Sequence, residues 1–241
     1  MLSIVVPAYN EGEHIYDNLM VIDKALAAFT SDYEIIAVND GSKDNTGSEV
    51  ARAAADNPRI KDFGYDVNRG KGGAVTWGAV NSKGDIVGFI DADLDLSPDF
   101  LALYYAKMTT ENADIVLGSK MHKDSKLEYP FARKVFSLCY YIMLKVLFGL
   151  KCHDTQTGIK LYRGSLIREI APLRRIEGYA FDIELLALAS KKNATLIEMP
   201  VELNFTRDQS FGRIKFRDVW KMFTDTWKIW WNLRIAKTYF K

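Results

Sequence analysis

The chain has 241 residues, 48% hydrophobic and 26% charged, enough for one large α/β domain with a substantial core and too apolar for a disordered chain. A net charge of +1 supplies no basic surplus of the kind a nucleic-acid partner requires. Two cysteines, Cys139 and Cys152, and three scattered histidines provide neither a disulfide framework nor a metal-ligand spacing, which fits a reducing compartment.

In chain order, "LSIVVPAY" predicts a first strand. It lacks a basic leader and reaches Pro7 and Glu11 too early for a signal peptide. A helix near Glu11 to Phe29, the strand "YEIIAVND", a helix near Asn45 to Ala55 and the strand "RIKDFGY" follow. Then come a helix over Gly70 to Ser82, the strand "DIVGFIDAD", a helix over Pro98 to Thr110 and the strand "ADIVLGS". This alternation predicts a Rossmann-like, mostly parallel sheet with helices on both faces. Past Ser119 the pattern changes to a long amphipathic stretch, a polar turn "KCHDTQTGIKLYR", a helix in "EGYAFDIELLALASK", short strands "ATLIEMP" and "VELNFT", and a final helix. The most apolar stretch, "VFSLCYYIMLKVLFGL", holds Lys145 and falls short of the roughly 20 residues that cross a bilayer.

In such sheets ligands bind beyond the carboxyl ends of the strands. Three polar, acidic segments fall there: "PAYNEGE", "VNDGSKDNT" and "DADLDLSPD". Asp40 closes an apolar run, either to accept bonds from a ligand's base or ribose or to satisfy loop amides. "NRGKGGA" sets backbone amides and the cations Arg69 and Lys71 at a helix start, a suitable anion site. In "DADLD", Asp91, Asp93 and Asp95 recur at every second position and would crowd one side if the strand continued. A hard divalent cation, Mg²⁺ or Mn²⁺, relieves such crowding, and Mg²⁺ on one or two carboxylates fills its other sites with water and phosphate oxygens. The other reading is a solvated acidic turn ahead of the helix that Ser97 and Asp99 begin.

The tail from Arg213 to Lys241 carries eight basic residues against two acidic ones, so it is about +6 and the remainder about −5. Phe216, Trp220, Phe223, Trp227, Trp230 and Trp231 recur there at three- and four-residue spacing. An aromatic face flanked by lysine and arginine suits an anionic membrane interface; a core-packing or dimer helix is the alternative.

Together, "VVPAYNEGE", "VNDGSKDNT", "NRGKGGA", "DADLD", "GSK", "DTQTGIKLYR" and "GYAFDIELLALA" resemble family 2 glycosyltransferases of the GT-A fold. Within that family they resemble the polyprenyl-phosphate hexose synthases of the dolichyl-phosphate glucose or mannose type. The resemblance implies transfer of a hexose from a nucleotide sugar, UDP-glucose or GDP-mannose, to a polyprenyl or dolichyl phosphate, by a single displacement with inversion. It implies that Pro7, Tyr9, Glu11, Asp40 and Lys71, with Asp91, Ala92 and Asp93, bind the donor. Asp91 and Asp93 hold Mg²⁺ or Mn²⁺ and the diphosphate, with Asp95 a third candidate ligand where mannose-type relatives often have glutamine. Lys120, Arg133 and Gln156 line the acceptor site, Arg133 acting in catalysis, and Arg207, Ser210 and Arg213 contact phosphate from a closing loop.

On this reading residues 1–212 form the catalytic domain and 213–241 a membrane-interface helix. The protein is expected on the cytoplasmic side of a membrane as a peripheral protein without a transmembrane helix or signal peptide. Two alternatives are a family 2 enzyme glycosylating a sugar or protein hydroxyl, with Asp182 or Glu184 as the base, and a non-catalytic nucleotide-binding module. The sequence leaves the oligomeric state open.

Overall fold

The fold is that of a computed structural model, which describes residues 1–125, 131–202 and 216–240. The strands are β1 (Leu2–Ala8), β2 (Tyr33–Asp40), β3 (Ile60–Tyr65), β4 (Ile86–Ile90), β5 (Ile115–Ser119), β6 (Ile159–Arg163) and β7 (Leu196–Pro200). The helices are α1 (Ile15–Ala27), α2 (Thr46–Asp56), α3 (Gly70–Asn81), α4 (Phe100–Thr110), α5 (Phe131–Phe148), α6 (Gly164–Ile170), α7 (Phe181–Lys191) and α8 (Phe216–Trp230).

These strands form one sheet in the order β3-β2-β1-β4-β6-β5-β7. The predicted mostly parallel sheet is present, and β6 alone among these strands runs against its neighbours β4 and β5. Its residues lie inside the segment expected to be a polar turn. Lys160 breaks the hydrophobic pattern there, yet it is fully buried and satisfied by Asp182, twenty-two positions away. Of the strand expected in "VELNFT", Glu202 forms an isolated bridge, and residues 203–206 lie outside the described part.

Nearly continuous apolar runs mark strands covered on both faces. In β1, Ile4, Val5 and Val6 are each 0% exposed. One face carries Ile4, Val6, Ile35 and Ala37 into a core closed by Ile15, Leu19, Ile22 and Leu26 of α1, spaced to fall on one helical stripe, and by residues of α2 and α4. The opposite face carries Val5, Ile36, Val38 and Phe89 against α3, α6 and α7. Each fully buried aliphatic side chain contributes about 1.5–3 kcal/mol, which holds the two helical layers to the sheet.

The tail helix α8 divides its residues between two environments. Asp225, Thr226, Ile229 and, just beyond the helix, Leu233 are buried, and the Tyr140 hydroxyl of α5 lies 2.9 Å from that of Thr226. Trp220, Phe223, Trp227 and, just beyond the helix, Trp231 face outward, with Trp220 62% and Trp231 56% exposed. A π-helical turn, Trp231–Ile235, follows, and Tyr239 then returns into the core. One side of the tail therefore packs on the protein and the other is exposed. The boundary expected between residues 212 and 213 falls outside the described residues. Among the described residues no helix is long and apolar enough to cross a membrane.

Candidate functional site

Because β1, β2, β3, β4, β5 and β7 share a direction, the segments after them meet along one sheet edge, and the antiparallel β6 begins at that same edge. The topology thus gathers Tyr9 and Glu11, Asp40, Lys71, Asp91 to Asp95, Lys120 and Gln156. Arg207, Ser210 and Arg213 lie outside the described residues, as does the side chain of Arg133 at the start of α5.

The first two loops are stitched together. Asn10 N donates to Ser42 Oγ at 3.1 Å, Lys43 N to Asn10 Oδ1 at 2.8 Å, and Glu11 N to Thr46 Oγ1 at 2.8 Å. Pro7 lies one residue before the end of β1, and Tyr9, just past the strand, is 46% exposed beside this junction. Asp40 is only 2% exposed and accepts from the Tyr65 hydroxyl (2.6 Å), Arg69 N (2.8 Å) and Asn68 Nδ2 (3.0 Å). Burial, and then the bond to Asp40, push the Tyr65 phenol well up from its ordinary range. Asp40 therefore organises the turn that delivers Lys71; of the two roles the sequence allows, the structure displays the loop-satisfying one.

That turn ends at Gly70, whose φ of +73° and contact with the Glu177 carbonyl suit a residue without a side chain. Lys71 follows at the start of α3 and forms an ion pair with Asp91. Burial opposes the ammonium charge, yet the carboxylates of Asp91, Asp182 and Asp93 together hold Lys71 above the usual lysine range.

The strand β4 stops at Ile90, so Asp91, Asp93 and Asp95 sit on a turn and not on one side of a strand. Leu94 takes φ +52°, a left-handed conformation rare for a branched side chain, and Asp95 N donates to Asp93 Oδ1 at 3.3 Å. Asn18 Nδ2 donates to the carbonyl of buried Ala92 at 2.7 Å. Asp91 N donates to the Gly158 carbonyl at 3.2 Å, which ties the turn to the residues that open β6. Burial first, and then the charges of Asp91 and Asp95, raise the pKa of Asp93 above the ordinary carboxylate range.

Crowded hard oxygens of this kind fit Mg²⁺ or Mn²⁺. Among the described residues no three His, Cys, Asp or Glu side chains converge as a ready metal cage. Of the expected ligands, Asp91 and Asp93 have the hard oxygen chemistry that such a cation would take, and among the described residues they do not converge with Asp95 as a three-carboxylate cluster.

On the far side of the turn, Asp154 holds two of the expected acceptor residues in place. Its carboxylate accepts from Lys120 N at 3.0 Å and from Gln156 N at 3.1 Å. Glu198 of β7 supports the same loop, accepting from His153 N at 2.7 Å and lying 2.6 Å from His153 Nδ1. Gln156 Nε2 reaches the Tyr179 carbonyl at 3.1 Å and Met222 Sδ of α8 at 3.0 Å, so the tail helix borders this part of the site.

Both carboxylates of "FDIELL" are engaged. Asp182, 4% exposed, pairs with Lys160 Nζ at 2.7 Å. Glu184, 0% exposed, accepts from the Tyr239 hydroxyl (2.6 Å), Arg175 N (2.9 Å) and Ile176 N (2.9 Å). Sequence reasoning misses Asp154 and Lys160. Both stand inside a quoted motif, but Lys120 and Asp182 lie 34 and 22 positions from them, and no local signal makes those pairs.

Residues 3–171 match the family described as Glycosyl transferase family 2. The chain is 34% identical over 236 residues to a dolichyl-phosphate beta-glucosyltransferase of Trichomonas vaginalis, covering 92% of this chain and 68% of that protein. It is 32% identical over 250 residues to a dolichyl-phosphate beta-glucosyltransferase of Dictyostelium discoideum, covering 92% and 76%. Among solved structures it resembles glucosyl-3-phosphoglycerate synthase of Mycobacterium tuberculosis in complex with Mn²⁺, uridine diphosphate and glucosyl-3-phosphoglycerate. That likeness has a TM-score of 0.65 at 20% identity and covers 96% of this chain and 79% of the other. The same synthase with phosphoglyceric acid gives a TM-score of 0.68 at 20% identity, over 95% and 79%.

Proposed function

The chain belongs to glycosyl transferase family 2 and has the GT-A fold, and on that premise we propose that it transfers glucose from UDP-glucose to a dolichyl or related polyprenyl phosphate. The names of the relatives support glucose and the lipid phosphate, and the uridine diphosphate in structural neighbours supports the donor. The observation that carries the reading is the pairing of Lys71 with Asp91 at the carboxyl edge of the sheet, beside Asp93. A cation and a carboxylate pair on one turn match what a leaving diphosphate needs.

In this reaction an acceptor phosphate oxygen attacks the anomeric carbon, the bond to the donor's diphosphate oxygen breaks, and the configuration inverts. Bound Mg²⁺ or Mn²⁺ would neutralise the diphosphate charge. Lys71 and the amides at the start of α3 bind phosphate oxygens, Asp40 keeps that turn in shape, and Asp154 sets Lys120 and Gln156 toward the acceptor. A phosphate monoester has a second pKa of about 6 and needs no base to become a nucleophile near neutrality. The engagement of Asp182 and Glu184 in buried bonds supports such an acceptor over a sugar or protein hydroxyl. The outward Trp220, Trp227 and Trp231 support a peripheral location on the cytoplasmic face of a membrane, where a lipid phosphate is met.

The test is turnover of UDP-glucose and GDP-mannose with a short polyprenyl phosphate and with a sugar alcohol. Glucosyl transfer to the lipid phosphate is expected. Nucleotide binding without transfer to any lipid phosphate, or preferred use of a hydroxyl, overturns the reading.

A further inference from the structure

The segment from Arg174 to Ala180 lies against both halves of the site. On the donor side it packs on the first turns of α3. A Cβ at Gly70 would stand 2.6 Å from the Glu177 carbonyl oxygen, and Arg174 Nε donates to Thr76 Oγ1 at 2.9 Å. On the acceptor side the Tyr179 carbonyl accepts from Gln156 Nε2 at 3.1 Å. The segment belongs to no helix or strand, so its shape depends on the groups that bond it from outside.

Those groups are Glu184 and the C-terminal tail. The buried Glu184 carboxylate accepts from Arg175 N and Ile176 N, both at 2.9 Å, and from the Tyr239 hydroxyl at 2.6 Å. Arg175 in turn grips the tail. Its Nη1 donates to Thr238 Oγ1 at 2.7 Å and its Nη2 to the Thr238 carbonyl at 2.8 Å, and its guanidinium lies 4.8 Å from the centre of the Tyr239 ring. Tyr239 is 3% exposed, so its bond to Glu184 is shielded from competing water. Bonds that share one buried acceptor support one another, and here the shared acceptor joins the tail to the segment. We propose that Thr238 and Tyr239 are positioning residues for the transfer reaction, holding residues 174–180 in the shape that keeps the Lys71 turn and Gln156 in register with each other. The tail acts through this segment and not on the substrates. The inference rests on the reading of the Lys71 turn as the diphosphate site and of Gln156 as part of the acceptor site.

The test uses the full chain. Tyr239→Phe removes the hydroxyl and keeps the ring in the core. With UDP-glucose and a short polyprenyl phosphate, well below the melting temperature, kcat is expected to fall about tenfold, while calorimetric binding of uridine diphosphate changes by less than about twofold. Ile22→Val, in the core on the other face of the sheet, is the control. It is expected to lower the melting temperature by a comparable few degrees and to leave kcat within about twofold of the wild type. Position is read apart from turnover by amide nitrogen-proton correlation spectra, in which the Gly70 amide and the Gln156 side-chain amide are expected to shift in Tyr239→Phe and to stay in place in Ile22→Val. Unmoved resonances, a wild-type kcat in Tyr239→Phe, or an equal fall in kcat in Ile22→Val overturns the inference. Shifted resonances in a chain whose wild type transfers no glucose to a lipid phosphate overturn the proposed substrate and support the bracing role alone. Should Tyr239→Phe fail to fold, Thr238→Val, which removes the bond to Arg175 Nη1, is judged by the same criteria.

Discussion

Gly158 offers a direct probe of the carboxylate turn. A Cβ built there would stand 2.8 Å from Asp91 Cγ and closer still to Oδ2. Ordinary carbon contacts are about 3.5–4.0 Å, so Gly158→Ala must move the Asp91 carboxylate by about 1 Å. Asp91 is partly exposed, with 36% of its side chain open to solvent, and can yield by rotating. The stability cost is therefore expected near the low end of the 1–3 kcal/mol typical of overpacking, about 1 kcal/mol. Catalysis is less forgiving, because a misplacement of about 1 Å can cost on the order of a hundredfold in rate. The assay is kcat/KM for UDP-glucose with a short polyprenyl phosphate, beside a thermal melt. A fall of about a hundredfold with a melting temperature lowered by only a few degrees is expected. Wild-type turnover would refute the placement of Asp91 at the reacting end of the donor.

Other substitutions probe separate parts of the molecule. Asp93→Ala is expected to abolish metal-dependent turnover, and steady-state rates across a Mn²⁺ series check it; retention of wild-type activity counts against the assignment. Glu184 titrates above the ordinary glutamate range because burial outweighs the bonds it accepts. The native state thus holds that proton more tightly than the unfolded chain, and the contribution of Glu184 to stability falls as pH rises from about 4.3 through its folded value. Urea denaturation of Glu184→Gln over that window is expected to show a flatter pH dependence than the wild type, and a parallel curve would refute the direction. Replacing the outward Trp227 and Trp231 together by Ala is expected to weaken sedimentation with anionic vesicles severalfold at little cost in stability, since both are about half exposed. Unchanged sedimentation would show that this face has another use.

Much of the sheet is legible in the sequence because β1, β2, β4 and β5 are covered on both faces and show nearly unbroken apolar runs. The turns after them stand out because polar residues follow at once. β6 is not legible in this way. "IKLYR" places a lysine and an arginine in five residues, and the hydropathy of Lys160 gives no hint that Asp182 of α7 neutralises it in the core. The role of Asp40 is open at the level of sequence for a related reason. A carboxylate at a strand end reads the same whether it faces a ligand or gathers neighbours such as Tyr65, Asn68 and Arg69. The tail is ambiguous because helical spacing shows that aromatic residues cluster without saying which stripe meets the protein. In α8 the buried stripe is Asp225, Thr226 and Ile229, two of them polar, and Trp220, Phe223 and Trp227 are left outside. Asp91, Asp93 and Asp95 are legible as a group, but the alternation argument assumes a strand that in fact ends at Ile90.

The place of β6 between β4 and β5 also sets an order of events during synthesis on the ribosome. Strands β1 to β4 can pair as they emerge, each beside a strand already made. β5 has no such neighbour, for its partners are β6 and β7, the first of which begins forty residues after β5 ends. Until β6 arrives, the edge of β4 is open and the Asp91 amide lacks the Gly158 carbonyl that accepts from it. A nascent chain halted after Phe148 would thus have the first two loops beside each other with the aspartate turn unfinished, and the later segments that supply Gly158 and Glu177 would be the ones that complete the site.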